Sequence, residues 1–114
     1  MGASSSSPTD TMTKEDFIKT EIGSHQVVVF SKTYCPYCTR TKDLFGQAEF
    51  SDVDVVTYEL DKRKDGPAIQ ATLTTMSGQR TVPSVWIGGK FLGGNSETQS
   101  AYASGELQKM LQSS

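Results

Sequence analysis

The chain has 114 residues, a formal net charge of −2 and 35% hydrophobic residues. This length predicts one domain, which can bury a single modest core. The charge argues against broad nucleic-acid binding, which needs clustered excess Lys and Arg. No apolar run approaches the roughly 18 residues that a membrane-crossing helix requires. We therefore expect a soluble globular domain with no nucleic-acid partner and no integral membrane association.

The first eleven residues are rich in Ser and Thr and contain no hydrophobic stretch. This composition predicts a disordered tail over residues 1–11 and a folded domain over residues 12–114. The lack of an apolar segment argues against a secretory signal, and the lack of Arg argues against a transit peptide. Gly2 and Ser6 fit the M-G-x-x-x-S pattern of N-myristoylation, although a chance match is the simpler interpretation. A cytoplasmic location is the expectation, with a transit peptide or an acyl group left open.

Helical and strand patterns alternate from Thr13 onwards. Thr13 is a predicted N-cap, with Asp16 three residues on in a near capping box, and Gly23 is expected to end this first helix. The β-branched run over residues 26–31 predicts a buried strand. A second helix is expected to begin at Pro36, because proline suits the first turn of a helix.

The second helix is expected to run to about Phe50 and to bury one face. Its inward residues are expected to be Leu44, Phe45 and Ala48. Residues 53–60 predict the next strand. Residues 65–76 predict a third helix, which Gly78 is expected to end.

The last third of the chain contains a hairpin and a final helical region. Residues 84–87 and 91–92 flank a Gly-Gly pair, which is a hairpin signal. Residues 97–111 are helical in pattern, with a break near Gly105, so the element order is α-β-α-β-α-β-β-α. The early β-α-β unit predicts a parallel central pair, and the hairpin adds antiparallel edge strands. We therefore expect an α/β protein with a four-stranded mixed sheet flanked by helices.

Cys35 and Cys38 are the only cysteines, and they form a C-x-x-C pair. With the single His25 they are too few for a four-ligand structural zinc site, so no metal is expected, and they are too few for a secreted disulfide scaffold. Such a pair without a signal peptide is typical of a catalytic or redox-sensing site in a reducing compartment. On the tetrapeptide alone, half of a zinc site, a structural pair and a chance spacing stay open.

The placement of the pair predicts two different thiols. Cys35 ends the turn between a strand and a helix, where free amides and a partial positive charge can lower a thiol pKa to roughly 3.5–7.5. Cys38 lies one turn further along the same face and can attack a disulfide formed on Cys35. Burial inside the helix is expected to raise the pKa of Cys38. We therefore predict an exposed nucleophile and a shielded resolving thiol.

Three linked segments carry a resemblance to a known family. Residues 32–38 read KTYCPYC, residues 78–83 read GQRTVP, and a Gly-Gly pair stands at residues 93–94. In this order and spacing they resemble the dithiol glutaredoxins, with CPYC as the active-site motif, over about residues 14–111. Thioredoxins would instead show Trp before the first Cys and Gly-Pro within the pair.

The resemblance implies a thioredoxin fold and a glutathione-dependent thiol–disulfide oxidoreductase. Cys35 would be the nucleophile that reduces glutathione-mixed disulfides and protein disulfides, and Cys38 would resolve the intermediate. The implied partners are glutathione, as reductant and co-substrate, and glutathionylated or disulfide-containing proteins, with the chain acting as a monomer. The alternative is a [2Fe–2S] carrier that joins two protomers through one Cys each and two glutathiones. Pro36 argues against this alternative, because cluster-binding relatives usually have a smaller residue there.

The same resemblance implies a glutathione site. Lys32 and Gln70 are similar to family residues that hold the glycine carboxylate. The backbone of Val82, before a cis bond to Pro83, would pair with the glutathione backbone like an added strand. The start of the last helical region suits the γ-glutamyl carboxylate, although Ser96 stands where the family frequently has Asp. The implied glutathione-binding residues are Lys32, Tyr37, Gln70, Thr81, Val82, Pro83, Gly94, Asn95, Ser96 and Glu97.

Three other side chains near these motifs receive no functional role. Tyr34 is expected to pack against the protein, and Trp86 is expected to be structural because it alternates with apolar neighbours on a strand. His25 precedes a strand in a polar loop and is expected to be solvated.

Overall fold

The computed structural model describes residues 13–113, so the predicted tail with Gly2 and Ser6 lies outside the described residues. The helices are α1 (Lys14–Ser24), α2 (Pro36–Phe45), α3 (Gly66–Ser77), α4 (Asn95–Ser104) and α5 (Glu106–Gln112). The strands are β1 (Val27–Ser31), β2 (Val55–Glu59), β3 (Ser84–Ile87) and β4 (Lys90–Gly93). Short 3-10 helices over Ala48–Phe50 and Leu60–Lys62 follow α2 and β2. None of the helices in this range is both long and apolar enough to cross a membrane.

The four strands form one mixed sheet in the order β2-β1-β3-β4. β1 pairs in parallel with β2, with Val29 opposite Thr57, and antiparallel with β3, with Val29 opposite Val85. β3 and β4 form the predicted antiparallel hairpin. The predicted α/β class, element order and mixed sheet are therefore confirmed.

Strand β1 is buried on both faces, and this divides the core into two clusters. Val27 and Val29 point to one face, where they pack with residues of α2, α4 and α5. Val28 and Phe30 point to the other face, where they pack with residues of α1 and α3. The sheet thus lies between two helical layers, and its central strand ends directly before the cysteine pair.

Several predicted helix ends are confirmed in detail. Thr13 caps α1, with its Oγ1 accepting from the Asp16 amide at 3.0 Å while the Asp16 carboxylate accepts from the Thr13 amide. Gly78 ends α3 at a φ of 80°, a conformation that glycine adopts without steric cost. The predicted end of α1 at Gly23 is one residue early, because the helix continues through Ser24.

The predicted extension of the second helix to Phe50 is wrong. α2 ends at Phe45, the Gly46 amide donates to the Lys42 carbonyl at 3.0 Å, and the chain then becomes extended at Gln47. Glycine disfavours helix continuation, so the helix stops there and a separate 3-10 turn follows. That turn buries Phe50 but leaves Ala48 exposed, so the prediction that Ala48 faces inward is also wrong.

Two of the structural interpretations have clear outcomes in the fold. Trp86 is buried and donates its Nε1 hydrogen to Ser84 Oγ at 2.9 Å, which confirms its structural role. His25 is not simply solvated, because its Nδ1 lies 2.8 Å from Asp54 Oδ2 and its Nε2 lies 3.6 Å from Glu21 Oε1. This histidine therefore links α1 to the segment before β2.

Asp65 connects α1 to α3 through ion pairs. It accepts from Arg63 Nε at 2.8 Å and from Lys14 Nζ at 3.3 Å. The Arg63 hydrogen bond, opposed by partial burial and aided by Lys14, lowers the pKa of Asp65 to about 2. Because this folded-state pKa lies below the ordinary aspartate value, the stabilisation is present above about pH 4 and is lost as the pH falls through about 2.

We expect Asp65→Asn to reduce the free energy of unfolding at pH 7 by about 1 kcal/mol, since solvent screens this partly exposed pair. Urea unfolding of both proteins from pH 7 down to pH 2 measures the effect. The difference between the two proteins should shrink as the pH falls from about 4 to about 2. A difference that is constant over this range would contradict the ion-pair explanation.

Candidate active site

Three segments meet beside the cysteine pair. They are the turn from β1 into α2, the loop that precedes β3, and the start of α4. Cys35 occupies the N-cap position of α2, with extended backbone angles of −90° and 119°. Pro36 fills the first helical position, where its missing amide costs no hydrogen bond. The predicted location of Cys35 at a helix N-terminus is confirmed.

The Cys35 sulfur lies among backbone groups. It accepts from the Cys38 amide at 3.4 Å, and it lies 3.9 Å from the Val82 carbonyl oxygen. The Cys35 amide is itself held by the Lys32 carbonyl at 3.1 Å, which fixes the turn before the helix. The sulfur is half-buried and accessible to a partner.

The environment of Cys35 favours its thiolate. Partial burial acts to raise the pKa of the thiol. Hydrogen bonds from the amide and side chain of Cys38 and from the Tyr37 amide outweigh burial, with help from the charge of Lys42. The net result is a pKa for Cys35 below the ordinary thiol value, which increases the thiolate fraction at neutral pH.

Cys38 has the opposite character. Its side chain is fully buried, and its sulfur accepts from the Lys32 amide at 3.4 Å. Burial raises the pKa of this thiol, and the neighbouring Cys35 acts in the same direction. The predicted asymmetry between an accessible, acidic thiol and a shielded, weakly acidic one is therefore present in the structure.

An open groove of about 480 Å³ lies next to the pair. Tyr37 forms one wall and is 56% exposed, with the Arg40 guanidinium 5.3 Å from the centre of its ring. The residues that line the groove are Tyr37, Gln79, Thr81, Val82, Pro83, Gly94, Asn95, Ser96 and Glu97. The structure thus brings together all of the predicted glutathione-binding residues except Lys32 and Gln70.

The loop wall of the groove is held by one of its own side chains, Gln79. The Val82–Pro83 bond is cis, as the resemblance implies. Gln79 donates from Nε2 to the carbonyl oxygens of Thr81 at 2.8 Å and of Pro83 at 3.0 Å. These bonds fix the loop, and the sequence analysis assigned no role to Gln79. In the sequence, the one indication of this role is the position of Gln79 inside the GQRTVP segment. Its partners are backbone carbonyls, and a pattern of side chains does not reveal such contacts.

The α4 wall of the groove is a helix N-terminus. Gly94 is the N-cap, and its amide donates to Glu97 Oε1 at 2.8 Å. The amides of the first turn that follow have no partner inside the helix. Asn95 is fixed to α2, because its Oδ1 accepts from Thr41 Oγ1 at 3.0 Å. This wall presents backbone donors and a partial positive charge to the groove.

Lys32 and Gln70 lie outside the groove lining. Gln70 donates from Nε2 to the Arg80 carbonyl at 3.0 Å and so supports the loop from behind. The backbone of Lys32 serves both cysteines, as described above. Their predicted role toward a glycine carboxylate stays a prediction.

The prediction that Tyr34 packs against the protein is wrong. Its side chain is 71% exposed, one residue before Cys35. The turn from β1 into α2 directs the Tyr34 side chain outward, and a local sequence pattern does not report that direction.

Gly93 is required by the close approach of α4. Its φ is 141°, and a Cβ atom there would lie 2.6 Å from Glu97 Cγ. We expect Gly93→Ala to displace Glu97 and the helix start, to lower stability by about 1–3 kcal/mol and to raise the KM for a glutathione-mixed disulfide. Chemical unfolding and steady-state kinetics measure the two effects.

Gly23→Ala is the matched control for this variant. Gly23 lies inside α1, and a Cβ atom there would meet nothing within 4 Å. Alanine should leave the KM unchanged and stabilise the helix slightly. The role assigned to Gly93 would be wrong if both variants behaved alike.

Comparison with known proteins agrees with this geometry. The glutaredoxin family model matches residues 27–92. The chain is 46% identical to glutaredoxin-C8 of Oryza sativa subsp. japonica over 111 residues, which cover 97% of this chain and 81% of the relative. It is 51% identical to glutaredoxin-C4 of Arabidopsis thaliana over 98 residues, which cover 84% of this chain and 69% of the relative.

Solved structures show the same architecture. A wheat glutaredoxin superposes with a TM-score of 0.81 at 40% identity, covering 93% of this chain and 96% of that one. A buckwheat glutaredoxin–glutathione complex superposes with a TM-score of 0.76 at 42% identity, covering 88% of this chain and 92% of that one. The sheet order, the flanking helices and the dithiol at a helix N-terminus define a thiol oxidoreductase of the thioredoxin fold. The chain belongs to the glutaredoxin family.

Proposed function

We propose that this chain reduces glutathione-mixed disulfides and protein disulfides, with Cys35 as nucleophile, Cys38 as resolving thiol and glutathione as reductant. The observation that carries the proposal is the hydrogen bond from the Cys38 amide to the Cys35 sulfur at 3.4 Å beside the groove. A thiolate held there can attack a disulfide whose glutathione half occupies that groove. The buckwheat glutathione complex supports glutathione as the ligand.

In the first step the Cys35 thiolate attacks the glutathione sulfur of a mixed disulfide. A sulfur–sulfur bond forms on Cys35 as the original disulfide breaks, and the substrate protein leaves as a thiolate that takes up a proton. The nearby Val82 backbone offers the glutathione peptide a strand-like partner. Attack at this sulfur leaves the substrate protein outside the groove, so many different proteins can serve.

The glutathionylated Cys35 can then be resolved in two ways. A second glutathione thiolate can attack the bound glutathione sulfur, which gives oxidised glutathione and restores the Cys35 thiolate. Alternatively Cys38 attacks the Cys35 sulfur and expels glutathione, which leaves a Cys35–Cys38 disulfide. The two cysteines are one helical turn apart on the same face of α2, so the second route needs little movement of the backbone.

The start of α4 supports glutathione as the ligand of the groove. Its α4 wall presents free amides that suit the γ-glutamyl carboxylate. Ser96 offers a neutral oxygen to the amino group of that residue, where a carboxylate would bind more strongly.

A reductase-linked assay tests the proposal. The purified chain is mixed with a glutathionylated protein, glutathione, glutathione reductase and NADPH, and NADPH oxidation is followed. We expect turnover that saturates with the glutathionylated protein and falls sharply when the same protein carries a cysteine mixed disulfide, which lacks the γ-glutamyl group. The absence of turnover would overturn the proposal, and visible iron–sulfur absorbance in such an inactive protein would favour the cluster carrier.

A further inference from the structure

Ser31 is a buried polar residue with no assigned role. It is the last residue of β1, it is opposite Glu59 of β2, and its relative exposure is 0%. Among the described residues its Oγ atom has no hydrogen-bond partner. A buried hydroxyl without a partner is unfavourable, and such groups often have a function that the resting state does not display.

The end of β1 lies against the sulfur of Cys38. The amide of Lys32, the residue next to Ser31, donates to that sulfur at 3.4 Å. Burial is the largest effect on the Cys38 thiol and raises its pKa, while the Lys32 amide and the Ser31 hydroxyl act in the opposite direction. By strand alternation the Ser31 side chain lies on the same face of β1 as Val27 and Val29, and that face packs against α2, the helix that carries Cys38. The hydroxyl is therefore a buried donor on the Cys38 side of β1.

We propose that Ser31 is a positioning residue for the resolving step, and that its hydroxyl donates a hydrogen bond to the Cys38 thiolate as that thiolate forms. The inference rests on the proposed function, because it concerns the step in which Cys38 displaces glutathione from Cys35. The hydroxyl and the Lys32 amide together give the buried sulfur two donors when it carries negative charge.

The step balances as an ordinary thiol–disulfide exchange. The Cys38 thiol loses its proton to water, and the thiolate attacks the Cys35 sulfur. The bond between Cys35 and glutathione breaks as the Cys35–Cys38 bond forms, and glutathione leaves with the electron pair and takes up a proton. The titratable and charged groups near the reacting sulfur atoms are Cys35 and Lys42 from α2, together with Glu59 of β2, which is opposite Ser31 and pairs with Lys42 at 2.7 Å. The neutral donors are the Ser31 hydroxyl at the end of β1 and the Lys32 amide that follows it.

The closing reaction can be measured directly. Reduced protein is mixed with oxidised glutathione, quenched with acid at successive times and weighed by mass spectrometry, which separates the glutathionylated form from the internal disulfide. At high concentrations of oxidised glutathione, formation of the Cys35–Cys38 disulfide reaches a rate that no longer depends on that concentration. This limiting rate is the rate of closing, in which Cys38 displaces glutathione from Cys35. We expect Ser31→Ala to slow closing about tenfold at pH 7, because a hydrogen bond to a charged group is lost.

The pH profile separates this role from a structural one. Ser31→Ala should shift the apparent pKa of closing upward, so that the rate recovers to that of the parent protein at alkaline pH. Ser31→Thr, which keeps the hydroxyl, should restore the profile. Ser84→Ala is the matched control, since it removes a buried hydroxyl from β3 that serves Trp86, and it should not shift the profile.

Three results would overturn the inference: an unshifted profile in Ser31→Ala, slowing that persists equally at alkaline pH, or the same shift in Ser84→Ala. The assay uses oxidised glutathione alone and does not require turnover of a glutathionylated protein. A protein that closes its disulfide but fails to reduce glutathionylated substrates would refute the proposed function without touching the role of Ser31.

Discussion

Replacing Cys35 with Ser is expected to abolish reduction of glutathione-mixed disulfides. A serine hydroxyl does not ionise at neutral pH and cannot form a disulfide, so the first covalent intermediate is lost. The reductase-linked rate should fall at least about a thousandfold, as is usual when a covalent nucleophile is removed. The remaining buried thiol of Cys38 cannot replace it, because that sulfur is fully enclosed.

The structural consequences of this substitution should be small. Cys35 is half-buried at the N-cap of α2, and serine is a favoured N-cap residue. Circular dichroism and thermal unfolding should therefore match the parent protein. Turnover in Cys35→Ser above about one thousandth of the parent rate would contradict the role of Cys35.

Replacing Cys38 with Ser is expected to separate two activities. Reduction of a glutathione-mixed disulfide should continue within about threefold, because a second glutathione can resolve the intermediate. Reduction of a protein substrate with an internal disulfide should be lost by the dithiol route, because no internal thiol remains to attack Cys35. The two reactions are measured on the same preparation with the same reductase link.

This variant is the matched control for Cys35→Ser, since it makes the same chemical change one helical turn away. The division of labour between the two thiols requires a large difference between the variants. If both substitutions removed both activities equally, the assignment of nucleophile and resolving thiol would be wrong.

The secondary structure was largely predictable because its signals are local. The Thr13 capping box, the β-branched run of β1 and the Gly78 helix end each depend on a few neighbouring residues, and the structure contains all three. The prediction placed the end of α2 too late. Glycine weakens a helix but does not by itself end it, and here the helix ends because the chain becomes extended at Gln47. The apolar residues up to Phe50 have a spacing that is compatible with one continuous helix face, so the sequence pattern did not reveal this end.

The site was predictable in its chemistry and less so in its geometry. The spacing of Cys35 and Cys38 indicated a thiolate at a helix start, and family motifs indicated most of the groove. A local sequence pattern does not predict contacts that depend on the path of a loop. Gln79 braces the carbonyls of its own loop, and Gln70 donates to the Arg80 carbonyl instead of lining the groove.

Exposure was also hard to predict at single positions. Tyr34 is an apolar residue between two strongly structured segments, and apolar residues in such places usually pack. The turn into α2 directs it outward instead.

The central claim is that hydrogen bonds at the start of α2 lower the pKa of Cys35 below the ordinary thiol value, and ultraviolet thiolate absorbance tests it most directly. The titration uses Cys38→Ser, which leaves Cys35 as the single thiol, with the variant that lacks both thiols as the blank. We predict that Cys35 ionises below the ordinary thiol value of roughly 8.5. An ionisation at or above that value would contradict the account.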